Sequence, residues 1–276
     1  MSRFFVILAL FPSLMLTESP SGEKPKKKDT ATILKTFAEE FITLTPGKKP
    51  FPDSFIMGSA KGGYPSERPA RKVTLKAPFA LAKYEVTQEL YEAVMGHNPS
   101  KWKGPRNAVE LVTWDDANEF CKKATKELRE RKLISDKEEI RLPTEAEWEY
   151  ACRAGTTTPF SFGSDVADID PFCWYKGNSK GFDPPVGKKA ANPWGFHDMH
   201  GYNWEWVADG WQPDYKKAPA DGSAVKEAEK GMRVIRGGSW ADPADYARSA
   251  FRMGFQAGEK NDTIGFRCAK TVGASE

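Results

Sequence analysis

The sequence predicts an α+β fold in which a few short helices and strands are joined by long irregular segments. Two helix starts support this, because Thr113 and Thr144 are each followed at the third helical position by an acidic residue, as in a capping box. After residue 155 the chain becomes rich in Gly, Pro, Asn and Trp and loses long periodicity. A single domain is expected, since 39% of the 276 residues are hydrophobic and no second linker interrupts the chain.

The N-terminal segment reads as a leader. Arg3 precedes an apolar run that is too short to span a bilayer, so residues 1–19 are predicted to be a signal peptide. Residues 20–35, rich in Pro and Lys, are predicted to be a disordered basic linker, and the folded domain then covers 36–271. No later segment is apolar enough for a membrane span. The protein is therefore expected to be secreted or periplasmic.

Strands and helices alternate in the first half of the domain. Three strands are predicted, of which the first two are expected to pair through a Pro-Gly turn: Phe41–Thr45, Ser54–Met57 and Val73–Leu75. Thr87 is expected to cap a helix over Gln88–Met95 that Gly96 ends. A longer helix is predicted over Trp114–Arg131, and a third begins at Glu145. The glutamates of this third helix are expected to be capping and surface residues rather than catalytic acids.

Charge and histidine content exclude several function classes. The chain has 41 basic and 38 acidic residues, a net charge of +3 that is too balanced to indicate a nucleic-acid partner. The three histidines, His97, His197 and His200, lack the helical spacing of a zinc site. A monomer without nucleic acid is expected.

Four motifs follow one another in the second half of the chain. They are RLPTEAEWEYACRAG (141–155), DMHGYNWEWVADGW (198–211), RVIRGGSW (233–240) and IGFRC (264–268). Together they resemble the formylglycine-generating enzyme family, also called the sulfatase-modifying factor family. The resemblance covers roughly residues 41–269 and implies a C-type-lectin-like α+β fold with little regular secondary structure. Because this fold carries both oxidases and binding proteins, it does not by itself settle the activity.

The resemblance also locates the residues that oxidase members need. Those members convert a cysteine of a client sulfatase to formylglycine with copper and two cysteines of their own, which follow the GGS motif. In this chain the two positions hold Asp242 and Ala247. Cuprous copper prefers thiolate ligands, which neither residue supplies. Copper binding and formylglycine generation are therefore not expected.

A structural calcium site is the second implication of the resemblance. Its ligands, two of them main-chain carbonyls, would be Asp198, Gly201, Asn203 and Glu205. Calcium accepts mixed carboxylate and carbonyl shells, so the residue types fit. The neighbouring His197 and His200 are expected to orient this loop. The alternative is that Asp198 and Glu205 only accept hydrogen bonds from loop amides.

The cysteines allow more than one pairing. Cys121, Cys152, Cys173 and Cys268 can form three complete sets of disulfides, and the residues alone do not choose between them. The resemblance implies a Cys152–Cys268 bridge. Cys121 lies on an apolar helical face, which predicts a buried thiol.

The stretch between GGSW and GFR is the binding face in lectin-like variable proteins of this fold. Here aromatic residues are interleaved with Asp and Arg, and aromatic residues and Arg are the types that dominate binding hot spots. The candidate cleft residues are Trp204, Ser239, Trp240, Asp242, Tyr246 and Arg248. Two functions are compatible with them: a calcium-stabilised recognition module for a protein, peptide or small ligand, or an oxidoreductase that acts on a protein or peptide by another mechanism. The lack of a redox-capable constellation favours recognition.

Overall fold

The computed structural model describes residues 28–181 and 183–272. The predicted signal peptide and the first half of the predicted linker, residues 20–27, lie outside these residues. The helices are Thr30–Glu39 (α1), Gln88–Met95 (α2), Trp114–Glu130 (α3) and Glu145–Arg153 (α4). The linker prediction is too long at its C-terminal end, because the Asp29 carboxylate accepts a hydrogen bond from Thr32 N at 2.8 Å and so caps α1.

The strands are short and belong to several small sheets. They are Phe41–Leu44 (β1), Ser54–Met57 (β2), Arg71–Thr74 (β3), Phe79–Ala82 (β4), Ile140–Arg141 (β5), Cys173–Trp174 (β6), His200–Gly201 (β7), Trp204–Gly210 (β8), Met232–Arg236 (β9), Arg252–Gln256 (β10), Ile264–Gly265 (β11) and Ala269–Thr271 (β12). Two sheets have four strands, in the orders β1-β4-β12-β5 and β10-β9-β8-β11, while β2–β3 and β6–β7 are isolated pairs. Helices make up 23% and strands 20%, which confirms an α+β fold with little regular structure.

The predicted pairing of the first two strands is wrong. Strand β1 pairs antiparallel with β4, and β2 pairs antiparallel with β3. The segment between β1 and β2 carries Pro46, Pro50 and Pro52, which have no amide hydrogen and cannot continue a ladder. Each strand therefore finds its partner further along the chain.

The helix starts follow the predicted capping. Thr87 caps α2, and Thr113 and Thr144 form capping boxes with Asp116 and Glu147. Helices α1, α2 and α3 pack on one another and cover a core that includes the stacked rings of Tyr91 and Phe120. In the described part of the chain, no helix combines the length and apolarity needed to cross a bilayer.

The glutamates of α4 are buried, contrary to the expectation that they lie at the surface. Glu145 accepts two hydrogen bonds from Arg252, at 2.7 and 2.9 Å, and Glu149 binds Arg236. All four side chains are at most 2% exposed. Glu149 and Arg236, which belong to two of the four motifs, therefore neutralise each other inside the protein, and Glu145 is neutralised by Arg252 from the segment between the last two motifs.

Candidate functional site

The GGSW turn is closed around Asp242. At its start Gly238 has a φ of 75°, and a Cβ there would lie 2.9 Å from the Tyr246 carbonyl group, so only glycine fits. The carboxylate of Asp242 accepts hydrogen bonds from Ser239 N at 3.1 Å, from the Ser239 hydroxyl and from Trp204 Nε1 at 2.8 Å. This carboxylate is a structural acceptor that fixes the turn.

The second position of the missing cysteine pair is also structural. Ala247 is buried, and its carbonyl accepts a hydrogen bond from His200 Nδ1 at 2.7 Å. His200 Nε2 in turn accepts a bond from Ser161 N at 3.2 Å. Burial lowers the pKa of His200 to about 4, so the ring is neutral at physiological pH. His200 thus links the backbone of Ala247 to the backbone of Ser161. Neither of these contacts involves a residue implied for calcium.

The described cysteines are buried free thiols. The predicted Cys152–Cys268 bridge is not formed in this structure, where each of the two sulfurs has a different neighbour. Cys152 Sγ lies 3.9 Å from His200 Nδ1, whereas Cys268 Sγ lies 4.0 Å from Cys121 Sγ. Cys121 is buried, as predicted. Burial raises the pKa of the Cys152 thiol to about 12, which keeps it protonated and a poor copper ligand.

An aromatic cluster lies beside the turn. The rings of Tyr246 and Phe251 stack with centroids 4.3 Å apart, and Tyr64 meets Phe251 edge-on at 4.9 Å. The Arg248 guanidinium lies 5.8 Å from the Tyr64 centroid and makes two hydrogen bonds to Glu67, at 2.8 and 2.9 Å. The structure therefore joins two predicted residues, Tyr246 and Arg248, to the loop that carries Tyr64 and Glu67.

Sequence reasoning missed Tyr64 and Glu67. They follow the segment GSAKGG, in which Gly58, Gly62 and Gly63 all have positive φ. The glycines are the sequence signal that could have located this loop, because residues with positive φ allow the chain to turn back toward Phe251 and Arg248. The partner of Glu67, Arg248, is 181 residues away, so no local pattern pairs them.

A cleft of about 1030 Å³ opens next to the aromatic cluster. It lies between β2 and the segment 155–159, and Asp245 and Arg248 form part of its wall. Among the predicted cleft residues only Arg248 lines it. The other predicted residues support the cleft wall or the GGSW turn instead: Trp204, Ser239, Trp240, Asp242 and Tyr246. The reason is that Asp242 draws Trp204 and Ser239 into the turn.

The four residues implied for calcium run from the loop before β7, through Gly201 in β7, to the start of β8. Asp198 is buried, and its Oδ2 accepts a bond from Gly187 N at 2.7 Å while Oδ1 has no partner. Gly201 N donates to Gly237 O at 2.8 Å. Glu205 forms a two-bond ion pair with Arg267, at 2.7 Å each. Its carboxylate is thus largely engaged without any metal.

Glu85 is a further acid at this place that sequence reasoning missed. It is 2% exposed, its Oε1 accepts a bond from Asn203 N at 3.2 Å, and its Oε2 has no partner. Burial, followed by the charges of Glu205 and Asp198, raises the pKa of Glu85 well above its usual range. The charge of Arg267 thus acts on three carboxyl groups, of which only Glu205 contacts its guanidinium.

The chemistry of this donor set fits a hard cation. Two fully buried carboxylate oxygens, Asp198 Oδ1 and Glu85 Oε2, lack a partner, and such atoms are costly unless something binds them. Within residues 28–181 and 183–272 no three His, Cys, Asp or Glu side chains are arranged to hold a metal by themselves. Main-chain carbonyls, which calcium accepts readily, would have to complete the shell.

Comparisons with known proteins agree with the fold and the motifs. The sequence matches the sulfatase-modifying factor enzyme 1-like domain over residues 32–272. It is 29% identical to the inactive C-alpha-formylglycine-generating enzyme 2 of Mus musculus, over 79% of this chain and 83% of that protein. It is also 29% identical to the chaperone protein LppX of Paenibacillus barcinonensis, over 73% of this chain and 82% of that protein.

Solved structures give the same result. PvdO from Pseudomonas aeruginosa aligns with a TM-score of 0.71 and 31% identity, covering 84% of this chain and 94% of that one. The resemblance inferred from the four motifs is confirmed, and the chain belongs to the sulfatase-modifying factor enzyme 1-like family.

Proposed function

We propose that this protein is an exported recognition module of the sulfatase-modifying factor type that does not generate formylglycine. The observation that carries the proposal is the closed GGSW turn. Asp242 stands at the first cysteine position, and its carboxylate is held by Ser239 and Trp204. Ala247 stands at the second position and is buried. A site with no thiolate offers neither the copper ligands nor the reactive sulfur of the oxidase reaction.

Recognition is assigned to the cleft between β2 and residues 155–159. Its volume of about 1030 Å³ lies at the upper end of the range of ligand pockets. Its wall combines Tyr64, Arg248 and apolar side chains, a composition that favours binding over proton transfer. The relative named as a chaperone favours a protein or peptide as the ligand, and the relative named as inactive favours a binding role.

Calcium is assigned a structural role in this proposal. The Asp198 carboxylate and the carbonyl oxygens of Gly201 and Asn203 would hold the ion, and the unpartnered oxygen of Glu85 supports a cation there. Glu205 would take part only through lone pairs that Arg267 and Trp148 leave free. When bound, calcium would neutralise buried negative charge and stabilise the loop before β8.

Cuprous copper competition tests the absence of the oxidase site. The wild-type protein is titrated against a coloured copper(I) chelator beside two variants, Asp242→Cys/Ala247→Cys and the control Asp242→Ser/Ala247→Ser, which changes both positions without adding a thiol. We expect only the cysteine variant to remove copper from the chelator. Copper retention by wild type, at one ion per chain, would contradict the proposal.

A further inference from the structure

The outer edge of β2 has a regular pattern of unpaired backbone groups. Leu75 N donates to Asp53 O at 3.0 Å, which fixes the hydrogen-bonded positions of the β2–β3 ladder at residues 53, 55 and 57. The amide and carbonyl groups of Ser54 and Ile56 therefore face away from β3. Consistent with this, Thr74, opposite Ser54, donates its own amide away from β2, to Ala220 O at 2.9 Å.

Both ends of this edge are satisfied by α4, and the middle is not. Pro52 O accepts a bond from the Tyr150 hydroxyl at 2.6 Å. Gly58 N donates to Glu149 at 2.8 Å, and Gly58 O accepts from Arg153 at 3.0 Å. Between these ends no described residue pairs with the outward amides and carbonyls of β2. The open stretch thus offers the amides of Ser54 and Ile56 as two donors and their carbonyls as two acceptors. Equivalent groups are about 6.6 Å apart along the strand.

This open edge faces the cleft. Ser54, Phe55 and Ile56 line one wall, the Thr156–Thr158 segment lies among the other lining residues, and Tyr150 belongs to the same lining. Ile56 is 52% exposed, although it is apolar and belongs to a strand. An exposed strand edge beside an apolar side chain is the arrangement that accepts another strand.

We infer that the cleft binds an extended peptide, which adds a strand to the outer edge of β2. This inference rests on the cleft assigned under the proposed function and names its ligand class. Alternating donors and acceptors at strand spacing are matched by another backbone, whereas a sugar or a small molecule offers no such repeat. The peptide residue opposite Ile56 is apolar and β-branched, because such cross-strand pairs are favourable.

Charge adds a second preference. Lys61 lines the same cleft and makes no ion pair within the described residues, whereas Arg248 is already neutralised by Glu67. An acidic residue toward the Lys61 end of the peptide therefore gains a partner at little desolvation cost, by an amount that salt reduces.

The experiment uses a bead-displayed library of random heptapeptides and the folded wild-type protein. Selected peptides are resynthesised, and each backbone amide is N-methylated in turn. Methylation at alternate positions should weaken binding about tenfold or more, because each such position loses one hydrogen bond to β2, while the intervening positions should change little. Selected peptides should also be enriched in Val, Ile and Thr with one acidic residue.

A variant of the protein tests the same edge from the other side. Ile56→Pro removes an amide that β3 does not use, and we expect at least a tenfold loss of peptide affinity. Ile56→Val keeps the amide and serves as the matched control, with affinity near wild type. If the proline variant melts at a much lower temperature than wild type, the methylation series on the wild-type protein decides.

Three results would overturn the inference: no heptapeptide binds, methylation has no alternating effect, or Ile56→Pro binds as wild type does. A glycan array screened in parallel separates this failure from that of the proposed function. Glycans that bind wild type but not Tyr64→Ala, without any peptide binding, would leave recognition intact and remove the peptide. Copper retention by wild type would instead remove the proposed function.

Discussion

Breaking the buried ion pair between Glu145 and Arg252 should strongly destabilise the fold. Both side chains are at most 2% exposed and share two hydrogen bonds of 2.7 and 2.9 Å. Arg252→Met removes both hydrogen bonds that the buried Glu145 carboxylate accepts from a guanidinium, and leaves it with the Tyr215 hydroxyl and with Arg236, whose Nε lies 3.8 Å away. Loss of one partner of a buried pair costs about 3–5 kcal/mol, compared with about 5–15 kcal/mol for a typical protein's stability.

The assay is urea unfolding of wild type, Glu145→Gln, Arg252→Met and the double variant, followed by tryptophan fluorescence. Coupling of about 1–3 kcal/mol is expected, so that the double variant is more stable than the sum of the single losses predicts. The exposed pair Lys123–Glu119 is the control, because its side chains are 47% and 48% exposed and such pairs contribute under about 1 kcal/mol. Additivity within about 0.5 kcal/mol at Glu145 and Arg252 would refute the reasoning.

Three further predictions concern pH, metal and thiols. Burial raises the pKa of Glu110 to about 7, so the free energy of unfolding of wild type should fall by up to about 3 kcal/mol as pH rises from about 4.5 to 7. Glu110→Gln should flatten this dependence of stability on pH in urea titrations, and an unchanged dependence would refute the prediction. Chelation should lower the melting temperature by roughly 5–10 °C if calcium is about a hundredfold above its Kd. Asp198→Asn should remove this sensitivity to chelation, and equal sensitivity of the variant would reject Asp198 as a calcium ligand. Mild oxidation should join Cys121 to Cys268, whose sulfurs are 4.0 Å apart, and peptide mapping that finds Cys152 joined to Cys268 would contradict the structure.

Local features of the sequence were sufficient for α2, α3 and α4, but α1 was missed and its first residues were assigned to the disordered linker. The capping threonines and Gly96 act on backbone groups within one turn, so their effect can be predicted without knowing the fold. Strand pairing could not be predicted this way. Strand β1 begins at Phe41 and its partner β4 begins 38 residues later, at Phe79. Nothing within β1 indicates that separation.

Buried charge marks the other limit of prediction. The capping box identified the start of α4, but the burial of Glu145 depends on Arg252, which is 107 residues away. Glu85 was missed for the same reason, since its environment is formed by Asn203 and Glu205 from a distant loop and strand. The lack of the oxidase cysteine pair could be predicted from the sequence alone, because Asp242 and Ala247 occupy the two positions within the motif itself.

Formylglycine formation is the most direct test of the central claim that this family member binds rather than oxidises. The purified protein is incubated with copper, oxygen, a thiol reductant and a Cys-X-Pro-X-Arg peptide, beside an active formylglycine-generating enzyme as the positive control, and the peptide is analysed by mass spectrometry. With Asp242 and Ala247 at the cysteine positions, the peptide should keep its cysteine in every sample containing this protein. Conversion of that cysteine to formylglycine by the unmodified protein would contradict the account.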